Sequence, residues 1–169
     1  FPIHFEPKPK PDRDSECTPK SCHVAIRFMR GLEYDIGLCF DGDGDRVLCV
    51  SHDGTVFGAD TIAAIFARSC LKPGDICITP IDSGSAIRVV TEQIGATVVG
   101  CKIGQPETGR AIKQQNAAFA YEAGANKFCF ARIFPWYDGI FAGAKMLEVM
   151  ASTGQSLAAL AAGAPQGFY

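Results

Sequence analysis

The segment Ile76 to Cys101 reads ICITPIDSGSAIRVVTEQIGATVVGC, and its alternation decides the fold class. Ile76 to Ile81 is a short apolar run rich in isoleucine, the pattern of a buried strand. Ser85 to Ile94 predicts a helix that stops at Gly95, a residue suited to a left-handed C-cap. Ala96 to Cys101 returns to a strand pattern. Strand, helix and strand joined by short Gly-containing connections imply an α/β layered domain with a mostly parallel sheet. Right-handed crossovers then put the loops after the strands along one edge, where ligands usually bind.

The same grammar extends in both directions. Downstream, residues 107–115 predict a helix, and Ala117 to Tyr121 and Lys127 to Ile133 predict strands. Asp138 caps a long helix from Gly139 to Ser152, and Ser156 caps a short alanine-rich one. The stripe Ile140, Ala144, Leu147 and Met150 has helical spacing and is read as core; Trp136 and Tyr137 are read as a staple for the start of that helix, with lining of the cleft as the alternative. Upstream, Asp60 is read as the N-cap of a helix to about Leu71, stopped by Lys72-Pro73-Gly74-Asp75. Before it, residues 23–32 predict a short helix, and Tyr34 to Phe40 and Arg46 to Ser51 two strands. His52-Asp53-Gly54-Thr55 is a turn signal. The first 22 residues, with prolines at 2, 7, 9, 11 and 19, favour extended structure. The expected division is therefore 1–57, the C-terminal part of one α/β unit, and 58–169, a complete α/β/α unit with a mixed, mostly parallel sheet.

Composition narrows the function classes. A formal charge of −2 gives no electrostatic footprint for nucleic acid or an anionic membrane surface. No apolar run reaches the roughly 18 residues of a membrane span. The start, Phe-Pro-Ile-His-Phe, has neither a Met nor a leader pattern, so a processed or fragmentary chain is expected. Of eight cysteines, Cys39, Cys49, Cys77, Cys101 and Cys129 lie in apolar segments, where a thiol acts as a small hydrophobe. Reduced thiols of a cytoplasmic protein are expected. Cys17 and Cys22, in a polar stretch beside His23, leave a disulfide or zinc site open.

Between the two upstream strands stands Asp41-Gly-Asp43-Gly-Asp45-Arg46. Three carboxylates at alternate positions repel one another unless a cation sits among them. Glycines at 42 and 44 let the alternate side chains converge. Hard oxygen ligands suit Mg²⁺ or Ca²⁺. An EF-hand is excluded, because its sixth and twelfth positions hold Arg46 and His52 where glycine and glutamate are required. Three acids leave open positions on an octahedral ion for a phosphate oxygen and water, an arrangement of phosphoryl transfer. Arg46 either meets a phosphate or balances the charge of the loop. None of His4, His23 and His52 is a candidate base.

With this loop in view, the chain resembles the α-D-phosphohexomutases, the phosphoglucomutase/phosphomannomutase family. Asp35-Ile-Gly-Leu-Cys-Phe-Asp-Gly-Asp-Gly-Asp-Arg46 is similar to that family's metal segment. Phe1-Pro-Ile-His-Phe resembles a stretch late in the family's second domain, and Ser83 to Ile87 the first strand-to-helix turn of its third. Lys102-Ile-Gly-Gln105 stands at the place of the K-T-G-H loop, Tyr121-Glu-Ala-Gly-Ala-Asn126 at that of the E-x-S-G-H sugar loop, and Asp138-Gly-Ile140 at that of the following D-G-I. The resemblance implies Mg²⁺ held by Asp41, Asp43 and Asp45, with Arg46 at the phosphate as a catalytic residue. It implies substrate contacts at Lys102, Gly104, Glu122 and Gly124. The implied reaction moves phosphate between C1 and C6 of a hexose phosphate through a hexose bisphosphate.

The sequence also departs from that pattern. The 169 residues hold no T-A-S-H-N-P phosphoserine loop and no counterpart of the family's fourth domain. Gly124 replaces a Ser or Asn, Asn126 a His, and Gln105 a frequent His. The expectation is a mutase portion that is inactive alone and needs the missing mutase domains in cis or trans. The alternative is a short relative that binds metal and phosphosugar without catalysis.

Overall fold

The computed structural model describes residues 16–165. The resemblance noted for Phe1 to Phe5, and the proline-rich start, lie outside the described residues. A short helix, α1 (His23–Met29), precedes the antiparallel hairpin of β1 (Ile36–Phe40) and β2 (Val47–Ser51), whose register pairs Ile36 with Ser51 and Phe40 with Val47. The chain then alternates through α2 (Ala59–Cys70), β3 (Ile76–Pro80), α3 (Ala86–Ile94), β4 (Thr97–Cys101), α4 (Gln105–Gln115) and β5 (Phe119–Glu122). A 3-10 turn (Ala123–Ala125) leads to β6 (Lys127–Cys129), α5 (Gly139–Thr153) and α6 (Leu157–Ala162).

β3 to β6 form one sheet in the order β4-β3-β5-β6, with β3 parallel to both β4 and β5 and with β6 antiparallel to β5. This is the expected mixed, mostly parallel α/β/α architecture. Strand side chains alternate between its faces. Cys77, Phe119, Tyr121 and Phe128 point into a core shared with α2, α3, α5 and α6. Ile78, Ala120 and Cys129 pack with Ile112 of α4 on the other face. Around Phe66 of α2, edge-on rings of Phe119, Phe128 and Phe130 fill the larger core.

Four expectations are corrected. The strand read as Lys127 to Ile133 ends at Cys129, where its antiparallel ladder with β5 stops at the Ala120–Cys129 pair; β5 extends only one residue further back, to Phe119, so it offers no partner for a run to Ile133. The helix read from 107 begins at Gln105, since Pro106 needs no amide partner in a first turn. Asp60 is not the N-cap of α2, a position Gly58 holds. The Asp60 carboxylate is buried and accepts from the Gly84 amide at 2.9 Å and the Tyr121 hydroxyl at 2.5 Å, tying α2 to the end of β3. Lastly, Ile140, Ala144 and Leu147 are exposed, and α5 turns Gly139, Ala142, Gly143, Met146 and Val149 inward. The helix is apolar over most of its circumference, so periodicity alone does not select a face. The two small glycines select it by letting the helix approach the hairpin.

Candidate metal and sugar site

The Asp41–Arg46 loop joins the two hairpin strands and is fixed by contacts from three sides. The Arg46 amide donates to Asp41 Oδ1 at 3.1 Å, closing the loop on itself. The Gly139 amide, at the start of α5, donates to the Gly44 carbonyl at 2.9 Å, and the Val47 amide donates to the Asn126 carbonyl at 3.1 Å. Gly44 has φ +74°, a conformation that favours glycine. Gly42 has an ordinary backbone, so the tight turn expected of both glycines rests on one. Gly139 is required for another reason: a Cβ there would lie 2.4 Å from the Arg46 carbonyl oxygen. This close approach gives the Asp138-Gly-Ile140 motif its physical content. Asp138 caps α5 by accepting from the Phe141 amide at 2.8 Å, as expected.

Asp41, Asp43 and Asp45 each present an oxygen, and the three oxygens lie within 4.8 Å of one another. Burial, aided by the charges of Asp45 and Asp43, pushes the Asp41 carboxyl up against the opposing effect of the Arg46 amide. Asp45 Oδ1 is buried and makes no hydrogen bond among the described residues. Three clustered carboxylates, one with an unsatisfied buried oxygen, are a donor set that fits a hard divalent cation. Arg46 Nε lies 3.3 Å from Asp41 Oδ2 and 3.8 Å from Asp45 Oδ1, while a terminal nitrogen meets Glu16 at 3.0 Å. Of the two roles read for Arg46, this geometry displays charge balance within the loop.

The other candidates lie at the C-terminal ends of the parallel strands. Lys102 follows β4, is exposed and has no ion pair among the described residues. Gly104 is the N-cap of α4, and its carbonyl accepts from the Thr108 amide and hydroxyl. Glu122 ends β5, and its Oε1 accepts from Thr108 at 3.3 Å and from the Tyr137 hydroxyl at 3.1 Å. Gly124 sits in the 3-10 turn, with open space where a side chain would project. Gln105, directly after Gly104, donates to Asp45 Oδ2 at 2.9 Å. The strand edge and the aspartate loop therefore form one continuous polar surface.

Two residues bear on this surface through contacts the sequence reading did not assign. Tyr137, read as a helix staple with the cleft as the alternative, is buried and donates to Glu122; burial pushes its hydroxyl up and keeps it a donor. Lys127, read only as the start of a strand, is buried and paired with Asp45 Oδ2 at 2.5 Å. A lysine opening an otherwise apolar strand was the available signal. Asn126 adopts a left-handed conformation, and its side chain donates to the Cys17 carbonyl, so it acts as a strut where a histidine was noted as common. The eight cysteines are free; Cys17 is buried and donates to the Cys39 carbonyl, and no disulfide joins it to Cys22. Among the described residues no helix is long and apolar enough to cross a membrane.

Comparison with known proteins gives the same frame. Residues 58–168 match the family described as phosphoglucomutase/phosphomannomutase, alpha/beta/alpha domain III. The chain is 30% identical over 167 residues to the phosphomannomutase/phosphoglucomutase of Pseudomonas putida, covering 98% of this chain and 34% of that protein. A phosphoglucomutase/phosphomannomutase family protein from Burkholderia thailandensis superposes with a TM-score of 0.80 at 25% identity, over 90% of this chain and 33% of that one. An Aspergillus fumigatus N-acetylphosphoglucosamine mutase, solved with GlcNAc-6P and magnesium, shares the fold with a TM-score of 0.60 at 15% identity, over 78% of this chain and 36% of that one. The chain spans about a third of the length of the curated relatives it matches. By its domain match and its relatives, the chain belongs to the phosphoglucomutase/phosphomannomutase family of intramolecular phosphotransferases.

Proposed function

We propose that this chain supplies the metal loop and the sugar-binding edge of a phosphohexomutase that moves phosphate between C1 and C6 of a hexose phosphate through a bisphosphorylated sugar. The observation that carries this reading is the convergence of Asp41, Asp43 and Asp45 beside the strand edge that bears Glu122. The division at 57/58 separates the loop-bearing unit from the sugar-binding unit. The phosphoserine and a phosphate-gripping domain come from mutase domains in cis or trans, and the chain is inactive without them. Eight free thiols suit a reducing, cytoplasmic compartment.

Asp41, Asp43 and Asp45 would hold Mg²⁺, the ion present in the Aspergillus fumigatus mutase structure. When bound, the ion offsets negative charge that develops on a transferring phosphoryl group. Arg46 keeps Asp41 and Asp45 in register, and its outer edge, now facing Glu16, is where a phosphate oxygen competes for it. Lys102, exposed at the strand edge, attracts the substrate's phosphate as a mobile point charge. Glu122 already accepts two hydrogen bonds on Oε1, which leaves Oε2 for sugar hydroxyls. Gly104 and Gly124 present backbone without side-chain bulk, so the sugar ring can approach.

Calorimetric Mg²⁺ titration with and without glucose 1,6-bisphosphate, beside a coupled mutase assay, tests the reading. Expected are metal binding, tighter sugar bisphosphate binding with metal present, and no turnover by the chain alone. Asp43→Ala removes an exposed ligand and should weaken Mg²⁺ at least about tenfold with the fold intact. Unchanged affinity would reject the ligand assignment, and turnover by the chain alone would reject the need for further domains.

A further inference from the structure

Lys127 is not part of the metal loop, yet it is its closest cationic neighbour from the sheet. Its side chain is 7% exposed, and lysine is almost never this buried without a partner. The partner is Asp45: Nζ lies 2.5 Å from Oδ2, the oxygen that also accepts from Gln105 at 2.9 Å. The ammonium also faces the Tyr137 ring, 5.9 Å from its centroid. One Asp45 oxygen is thus doubly occupied, while the other is buried and makes no hydrogen bond among the described residues. Two cations, Arg46 and Lys127, pair with Asp41 and Asp45 before any metal arrives.

We propose that Lys127 is a tethered cation of the aspartate loop: it neutralises Asp45 when the loop is empty and opposes the divalent ion when the loop is loaded. The inference rests on the metal-loop reading above. A divalent ion reaching Asp45 meets an ammonium a few ångströms away in a partly desolvated place, where like charges repel strongly. Either the ammonium gives up Oδ2 or the ion binds against its field, and each lowers the affinity. In exchange, Lys127 keeps the loop folded onto the sheet without metal. An apolar residue at this strand position would leave the three acids to the metal and Arg46 alone.

Mg²⁺ titration of the 169-residue chain and of Lys127→Met and Lys127→Gln tests this, with thermal unfolding of each in metal-free buffer. Both variants should bind Mg²⁺ about tenfold more tightly, melt lower than the parent without metal, and gain more on adding it. In the unsubstituted chain, the Lys127 ε-ammonium resonance should shift on adding Mg²⁺; this measurement holds even if neither variant folds. Equal or weaker Mg²⁺ binding by a folded variant, or an unmoved ammonium signal at saturating metal, would overturn the proposal while leaving the metal site standing. No Mg²⁺ binding by parent or variants would overturn both it and the metal-loop reading.

Discussion

Gly139 holds the aspartate loop against the start of α5 by what it lacks. The backbone of Arg46 occupies the volume a β-carbon would need, with its nitrogen, carbonyl carbon and oxygen all within 3 Å of that position. Gly139→Ala must therefore displace the loop or tilt the first turn of α5. Overpacking of this kind costs about 1–3 kcal/mol. Urea unfolding should register that loss, and Mg²⁺ titration of the variant should show weaker binding, since Asp45 and Arg46 move together. A variant with full stability and unchanged affinity would mean that this close approach does not position the ligands. The residue scale also shows what a linear reading can reach. Asp41, Asp43 and Asp45 were legible because alternate acids among glycines repel one another until a cation joins them, and that repulsion is local to the loop. Lys127 was not, and Tyr137 only as an alternative, because their meaning comes from Asp45 and Glu122, residues 82 and 15 positions away in the chain.

At the scale of elements, starts and stops were legible where a capping residue acts locally. Asp138 and Ser156 cap α5 and α6 through their own side chains, accepting from Phe141 and Ala159. Asp60 misled because its position suits a cap while its carboxylate serves a distant strand end, and β6 misled because strand length depends on the partner strand. A similar long-range tie connects the turn before β3 to the turn after β6. Asp75 accepts from the Lys72 amide at 2.8 Å, and its other oxygen accepts from the Arg132 guanidinium. Burial alone would push the Asp75 carboxyl up; the Arg132 and Lys72 hydrogen bonds outweigh it and hold the carboxyl below its usual range. A carboxyl lowered on folding contributes stability that is present above its unfolded pKa and lost as pH falls through the folded one. Asp75→Asn should therefore cost about 1 kcal/mol near neutral pH, a modest figure because Arg132 is half exposed. Below the ordinary aspartate value of 3.8 the gap between parent and variant should narrow and close. Denaturant midpoints measured from pH 7 to pH 3 check this, and a gap constant across that range would assign the loss to packing.

For the molecule as a whole, the hairpin that carries the candidate metal ligands and the sheet that carries Glu122 share one core. Val47 and Cys49 of β2 belong to the same buried cluster as Phe66, Phe119, Met146 and Leu157, and Leu38 and Phe40 of β1 pack against it. A sequence reading divides the chain near Gly58 because the pattern changes there, but periodicity carries no record of which buried faces meet. Apolar contact across that point couples the two parts, so the described residues should unfold in one cooperative step. On the metal-loop reading, Mg²⁺ would add to this coupling. The loop that would take it is held by Asn126 and Lys127 at the start of β6 and by Gln105 and Gly139 at the starts of α4 and α5, so loosening the hairpin or the sheet would release the ion. Linkage then requires that metal at roughly 100 times its Kd stabilise the whole chain by about 2.7 kcal/mol, a rise in Tm of roughly 5–10 °C for a chain of this size. Thermal unfolding followed by both far-ultraviolet and near-ultraviolet circular dichroism should give coincident curves that move together on adding Mg²⁺. Two separated transitions, with only one responding to the metal, would show that the loop-bearing hairpin unfolds independently of the sheet, and that the shared core does not couple the metal to the sugar-binding edge.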